Sequence, residues 1–293
     1  MNARIKLPQW CVDIIANPPQ SGDGFHLWLF RAARALWKCG RTENDTIATL
    51  ENAASICGRH VPIREIQDAV TNSQRPAFQP DNFQRLRWPK VDEEKRKAVT
   101  EKGPGLVDLW ESSPVRIEDN DSHNEEIIDV LFPGNPLLCC GAKKETARTA
   151  SREEWRGRMS KLQFIVPNPM TATTGINQLD EVSHRCLNNT GPRRFLVVEF
   201  DTGTTDEHAA LLLHLAEWAP MALAVHSGQK SLHGWFYSAG VAEGKIVNFF
   251  RHACSLGADP MLWTPCQLAR MPDGTRDNGK KQTVYFLNPG VIR

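Results

Sequence analysis

The sequence of 293 residues predicts an α+β protein, with a small N-terminal helical bundle followed by a mixed α/β domain. Two observations support this fold class. In the first third, apolar residues recur at spacings of three and four, which indicates amphipathic helices. After about residue 122, short apolar runs of strand length alternate with helical patterns. We therefore expect a helical domain over residues 1–75, a linker over 76–122 and an α/β domain over 123–293.

Three amphipathic helices are predicted in the first domain. The run "GFHLWLFRAARALWKCG" stops at Gly40, a suitable C-cap, and "TENDTIATLENAASICG" follows with Thr42 as its N-cap. The third, "VPIREIQDAV", has Pro62 in its first turn. A bundle of this size suits a scaffold or a protein-contact module as well as a DNA-contacting one.

The stretch from residue 76 to 122 follows neither periodicity. It contains scattered prolines, the charged run "KVDEEKRKAVTEKG" and the acidic run "RIEDNDSHNEE". One short helix fits the charged run, but such a composition is typical of a solvated linker.

In the α/β domain, strands and helices are predicted in a definite order. The predicted helices are "NEEIIDVLFPG", "SREEWRGRMSK" with Ser151 as cap, "TDEHAALLLHLAEWAP" with Thr205 or Asp206 as cap, and "KIVNFFRHACSLG". The predicted strands are "PLLCCG", "LQFIVPN", "RRFLVVEFD", "MALAVHSG", "HGWFYS" and "QTVYFLNP". Because helices do not separate the strands uniformly, we expect an antiparallel or mixed sheet.

Composition limits the function classes. Charged residues make up 24% and the formal net charge is +1, so a polyanion must be met by a local patch. The sequence has no signal peptide pattern and no apolar run of membrane length, so we expect a soluble, cytoplasmic protein without a membrane partner. The eight cysteines form no CxxC pair and are expected to be reduced thiols. Cys139, Cys140, His184 and Cys186 are candidate zinc ligands, although adjacent cysteines chelate one tetrahedral ion poorly.

Two acids end an apolar strand in "RRFLVVEFDTG". Side chains alternate along a strand, so Glu199 and Asp201 are expected on one face. Two close carboxylates repel each other unless a cation lies between them, and a hard divalent ion is the usual one. The alternative is a strand that simply emerges into solvent.

Two later segments add groups that suit a polyphosphate. In "HSGQKSLHGWF", a glycine turn gathers Ser227, Lys230, Ser231 and His233, which is a reasonable phosphate clamp. In "LGADPMLWTPCQLARMPDG", Asp259 closes a helix and Arg270 ends a short apolar segment.

The order of these motifs resembles the catalytic domain of the archaeo-eukaryotic primase superfamily, the primase-polymerase group. The resemblance covers roughly residue 124 to the end. It implies an RRM-like α/β fold in which Glu199, Asp201 and Asp259 are catalytic and hold two Mg²⁺ or Mn²⁺ ions. It also implies that His233 and Arg270 bind a nucleoside triphosphate, and we expect Ser227 and Lys230 to assist them. The segment "GRHVPIREIQDAV" resembles the helical module that accompanies such primases in plasmid and phage replication proteins.

The sequence departs from the family in its acids. The first motif begins with Glu199 where the family more often has Asp, and the third acid is weakly defined, so that Asp273 or Asp277 are alternatives to Asp259.

The expected function is a template-dependent primase or primase-polymerase of a mobile element, with single-stranded DNA as template and a separate helicase as partner. We expect the strand to contact "KKETARTASREEWRGRMSK" and "RDNGKKQ" through basic side chains, with Trp235 or Trp263 available for stacking and Trp155 in the core. The basic residues expected at the nucleic acid are Arg156, Arg158, Arg276, Lys280 and Lys281. The alternatives are a replication-associated binding or initiator protein with weak catalysis, and a magnesium-dependent nuclease using Glu199, Asp201 and Lys230.

Overall fold

The computed structural model describes residues 7–19, 25–57, 60–74, 86–118 and 122–292. The chain divides into two compact units. One comprises Met1–Phe83 and Ile176–Val182, and the other comprises Gln84–Gly175 and Ser183–Arg293. The α+β fold class with antiparallel sheets agrees with the sequence prediction.

The first unit is a helical bundle. Its helices are α1 (Gln9–Ala16), α2 (Phe25–Lys38), α3 (Glu43–Ala54) and α4 (Ile63–Gln74). Leu29 and Leu36 of α2 are fully buried against Leu50 of α3 and Ile66 of α4, as the spacing of three and four requires. The three predicted helices are confirmed. Helix α1 was not predicted, because eight residues carry too short a periodic signal.

The second unit contains two antiparallel four-stranded sheets. Its helices are α5 (Glu93–Thr100), α6 (Leu106–Glu111), α7 (Asn124–Leu131), α8 (Arg152–Trp155), α9 (Thr205–Ala216) and α10 (Glu243–Ser255). Its first sheet has the order β2-β1-β3-β9, from β1 (Leu137–Gly141), β2 (Arg148–Ser151), β3 (Phe164–Ile165) and β9 (Ala269–Arg270). A separate short pair, β4 (Gly175–Ile176) with β5 (Val182–Ser183), lies at the ends of the segment Ile176–Val182 that is assigned to the first unit.

The second sheet carries the candidate site. It has the order β10-β7-β8-β6, from β6 (Phe195–Glu199), β7 (Met221–His226), β8 (Leu232–Tyr237) and β10 (Val284–Leu287). Helix α9 packs on β8, where a Cβ at Gly234 would collide with the Leu212 side chain and force it to shift. Thr204 caps α9 through a bond to the Glu207 amide, which places the cap before the predicted Thr205 or Asp206.

The predicted linker over 76–122 is wrong for its described part. Helices α5 and α6 pack on α9, and the Trp88 ring lies 4.9 Å from that of Phe250 and 5.1 Å from that of Trp263. Residues 84–122 therefore belong to the second unit, which begins well before residue 123. The charged composition does not reveal this packing, because α5 is held mainly by one arginine, described below, and exposes most of its other side chains.

None of the helices in the described part of the chain is long and apolar enough to cross a membrane.

Candidate functional site

The β6–β8 ladder sets the first acid opposite a histidine. Glu199 is the last residue of β6 and pairs in register with His233 of β8. The Ser231 hydroxyl donates a hydrogen bond of 2.7 Å to Oε1 of Glu199, and Nε2 of His233 lies 3.2 Å from the same oxygen. Burial by itself raises the pKa of this carboxyl, but His233, Ser231 and the charge of Arg270 together lower it to about 2. Glu199 is therefore ionised at any physiological pH.

The backbone brings the other two acids beside Glu199. Asp201 lies in the bend after β6, where partial burial and the charges of Glu199 and Asp259 raise its pKa. Asp259 donates its amide to the Glu199 carbonyl at 2.9 Å, while its side chain accepts the Met261 amide and caps a 3-10 turn. Asp201 follows Glu199 by two residues and the Asp259 amide is bonded to the Glu199 carbonyl, so the backbones of the three acids meet after β6.

Of the alternatives for the third acid, Asp273 is engaged elsewhere. It is buried, accepts the His123 amide at 2.7 Å and pairs with Lys281 at 3.1 Å. Asp277 is exposed on a hairpin. Asp259 is the one of the three whose backbone is hydrogen-bonded to Glu199.

His233 is buried, and its Nδ1 has no hydrogen-bond partner among the described residues. Its side chain is 3% exposed, and Nε2 lies 3.2 Å from Oε1 of Glu199 without a hydrogen bond of good geometry. A buried ring nitrogen without a partner is unfavourable unless a ligand supplies one. That this ligand is a nucleotide stays a prediction.

The turn before β8 uses Ser227 differently from the prediction. Its hydroxyl oxygen accepts the amides of Lys230 and Ser231, at 3.3 and 3.1 Å, so it closes the turn and is committed as an acceptor. Gly228 takes φ of +75°, which permits the turn. The exposed Lys230 ammonium forms no ion pair with the described residues, so it is available for an anion.

Arg270 and Arg276 add positive charge beside the acids. Burial, followed by the charge of Arg276, lowers the pKa of Arg270, and one of its terminal nitrogens is buried without a partner. Its guanidinium covers the Phe164 ring at 4.8 Å. Arg276 donates from Nη1 to the Ser227 carbonyl at 3.0 Å. The charges of Glu199 and Asp277 oppose the repulsion between the two arginines, and an added anion would reduce it further.

Arg96 and His208 are two further residues of the site that sequence reasoning missed. Arg96 of α5 donates to the carbonyls of Thr202 at 2.5 Å and Leu256 at 2.8 Å, thereby joining the loop after Asp201 to the segment before Asp259. His208 Nε2 also contacts the Thr202 carbonyl at 2.9 Å, and burial lowers its pKa. A histidine within the apolar run "HAALLLHL" was a visible signal, whereas nothing distinguished Arg96 from the charges around it.

The donor chemistry of the three acids fits Mg²⁺ or Mn²⁺, since carboxylate oxygens are the ligands that hard cations prefer. Mutual repulsion raises the pKa of Asp201, and a cation would relieve it. Over the described ranges, however, no three His, Cys, Asp or Glu side chains are already arranged to hold an ion. Binding one would therefore require these carboxylates to rearrange.

Two predicted stacking residues are not available to a nucleic acid, and two predicted basic residues are engaged in ion pairs. Trp235 and Trp263 are 0% and 4% exposed, so neither can stack on a base, while Trp155 is in the core as expected. Arg156 pairs with Glu153 and Asp129, and Lys281 with Asp273. Arg158 and Lys280 are exposed and make no side-chain ion pair with the described residues. A propensity pattern cannot reveal these pairings, because they depend on tertiary contacts.

The candidate zinc ligands do not form a site. Adjacent residues of a strand face opposite sides, and Cys139 and Cys140 belong to different hydrophobic clusters. The Cys186 thiol contacts Asn189, and a ring nitrogen of His184 contacts the Thr173 carbonyl. Burial raises the pKa of the Cys139 and Cys140 thiols, which agrees with the expected reduced thiols.

Comparison with protein-family models, with curated proteins and with solved structures finds no match to this chain.

Proposed function

We propose that this chain is a template-dependent nucleotidyl transferase, a primase or primase-polymerase of a mobile element. The observation that carries the proposal is that Glu199, Asp201 and Asp259 meet after β6 beside a buried His233 whose Nδ1 has no hydrogen-bond partner among the described residues. A phosphoryl-transfer site needs carboxylates that bind cations, and here an imidazole is available to bind the polyphosphate. The succession β6-α9-β7-β8, in which β8 lies between β6 and β7, is a split βαβ unit. The last strand, β10, pairs with β7, whereas an RRM-like sheet has its last strand beside the first, so the strand order departs from the expected RRM-like domain.

In this proposal Glu199, Asp201 and Asp259 hold the divalent ions. When bound, such ions supply an acidified 3'-hydroxyl and neutralise charge on the reacting phosphates. His233 and Arg270 bind the phosphates of the incoming nucleotide, and the Lys230 ammonium adds a third positive contact. Ser231 and Arg96 orient the acids. Template and helicase are partners that the proposal implies.

A second candidate is a replication-associated single-stranded-DNA-binding or initiator protein with little synthesis. One observation favours it: Ser231 and His233 already occupy Oε1 of Glu199, which weakens that oxygen as a metal ligand.

The test is incorporation of labelled nucleotides on a single-stranded DNA template with Mg²⁺ or Mn²⁺. We expect short products from the native protein and a loss of at least about 1,000-fold in Asp201→Asn, because a metal ligand is removed. Glu217→Gln, an exposed acid at the end of α9, is the matched control and should retain activity.

Full synthesis by Asp201→Asn would refute the site. Template binding by the native protein without synthesis under any condition would favour the initiator, and template cleavage would favour a nuclease that uses Glu199, Asp201 and Lys230.

A further inference from the structure

A cavity of about 210 Å³ lies in the second unit where three segments meet. Residues 142–143 follow β1, residues 161–163 precede β3, and residues 275–277 belong to the hairpin before β10. The pairing of β1 with β3 and of β3 with β9 brings these segments together. The cavity therefore joins the two basic runs that are separated by more than a hundred residues in the sequence.

The lining of this cavity carries unbalanced positive charge. Lys143 and Lys161 are exposed, and neither ammonium forms an ion pair with the residues that the structure describes. Arg276 contributes a third cation, and its Nε is buried without a hydrogen-bond partner. Asp277 is the one acid among the lining residues, so three cations face one anion. An anionic ligand would supply what Arg276 lacks.

The walls of the cavity are held in place. Gln163 is buried and donates from its side-chain amide to the Ala142 carbonyl at 2.6 Å. The Arg276 amide bonds to the Lys280 carbonyl at 2.9 Å, and Thr275 bridges to Lys281. Arg276 is further fixed by its bond to the Ser227 carbonyl. The cavity and the Ser227–Ser231 turn thus share Arg276 as a common wall.

We propose that this cavity binds a backbone phosphate of a single-stranded nucleic acid, and this rests on the proposed function. The polyphosphate of the nucleotide already has His233, Arg270 and Lys230. Lys144, Arg158 and Lys280, which are exposed on the same basic runs, extend the positive surface beyond one phosphate, which suits a strand. Arg276 then places the strand next to the nucleotide.

The test is the double variant Lys143→Gln/Lys161→Gln, compared with the exposed Lys245→Gln on α10 as matched control. Fluorescence anisotropy measures binding of a labelled oligothymidylate over a series of salt concentrations. We expect affinity to fall about tenfold in low salt, and the slope of log K against log salt to fall by about 0.7, the value for one lost phosphate contact on a single strand. Binding of a manganese–nucleotide complex should not change.

Unchanged oligonucleotide affinity and salt slope would overturn the proposal. Weakened nucleotide binding, with or without an effect on the oligonucleotide, would also overturn it, because the cavity would then belong to the nucleotide site. These measurements need no catalysis, so a native protein that makes no product would refute the proposed function while leaving this test intact.

Discussion

The acidic and basic sides of the candidate site are built differently. On the acidic side, Glu199 is held by Ser231 and His233, and the Asp259 amide is bonded to the Glu199 carbonyl. On the basic side, Lys230 makes no ion pair with the described residues, and Arg270 has a buried nitrogen without a partner.

The difference indicates which charges of the site are balanced by other groups of the protein. The protein supports its first carboxylate from within, whereas its cations are left for an anion that comes from outside. Substitutions on the basic side should therefore lower function without lowering stability. Substitutions on the acidic side should lower both. Four experiments test this contrast, from the largest expected effect to the smallest.

His233→Gln should lower nucleotide incorporation about 100- to 1,000-fold, because a buried group aimed at the charged ligand is lost. It should also raise the pKa of Glu199, since His233 is the main group that lowers it. Steady-state kinetics and carboxyl titration by NMR measure the two effects. His214→Gln on α9 is the control, and an equal loss in that variant would contradict a specific role for His233.

Acid should remove the stability that Glu199 contributes. Its pKa is depressed from 4.5 to about 2 in the folded protein, which corresponds to about 3 kcal/mol. A depressed carboxyl pKa stabilises the fold above the ordinary pKa, and the contribution disappears as pH falls from about 4.5 through about 2.

This prediction is checked by urea unfolding of the native protein and Glu199→Gln across that pH range. The difference in unfolding free energy should shrink as the pH falls. A difference that stays constant would mean that His233 and Ser231 do not stabilise the ionised carboxylate.

Arg96→Met should raise the Mn²⁺ concentration needed for activity about 10- to 100-fold, as removal of groups that orient metal ligands does. The free energy of unfolding should fall by about 1–3 kcal/mol, because two carbonyls lose a charged donor. Arg96→Lys should partly restore both the manganese dependence and the free energy of unfolding. Lys97→Met, which loses only an exposed pair with Glu101, is the control. Lower stability with an unchanged manganese dependence would show that Arg96 does not position the acids.

Arg270→Gln should weaken nucleotide binding about tenfold but change the free energy of unfolding by less than about 1 kcal/mol. Its charge is already disfavoured by burial and by Arg276. Arg193 provides the contrast: burial lowers its pKa to about 10, but it donates to the Trp263 carbonyl at 2.7 Å. Arg193→Gln should therefore lower stability without affecting nucleotide binding. Equal destabilisation by both variants would mean that Arg270 supports the fold as much as Arg193 does and is not left for an external anion.

The sequence predicted most elements of the second unit because their apolar runs are long and well bounded. It also predicted that Ser231 and His233 would gather at a glycine turn, whereas their place beside Glu199 was implied only by the resemblance to the primase-polymerase group. It failed where tertiary contacts decide the outcome. The sequence indicates that Trp235 could stack on a base, but β8 lies in the core. It indicates that Arg156 is a free cation, but Asp129 pairs with it.

The linker was mispredicted for the same reason. Residues 86–118 look solvated by composition, and only the folded chain reveals Arg96 between two loops. No local pattern encodes an anchor of this kind.

The Asp259 amide is bonded to the Glu199 carbonyl, and Phe200 forms a β-bridge with Ala258. These two contacts extend the pairing of β6 with residues from a distant part of the chain. The spacing of the first and third acids is thus set by the main chain. The backbones of Glu199 and Asp259 can separate only if the segment after α10 detaches from the sheet. Hydrogen exchange at the Asp259 amide would consequently follow the opening of the site as a whole, and its protection should survive substitutions that remove the carboxylates themselves.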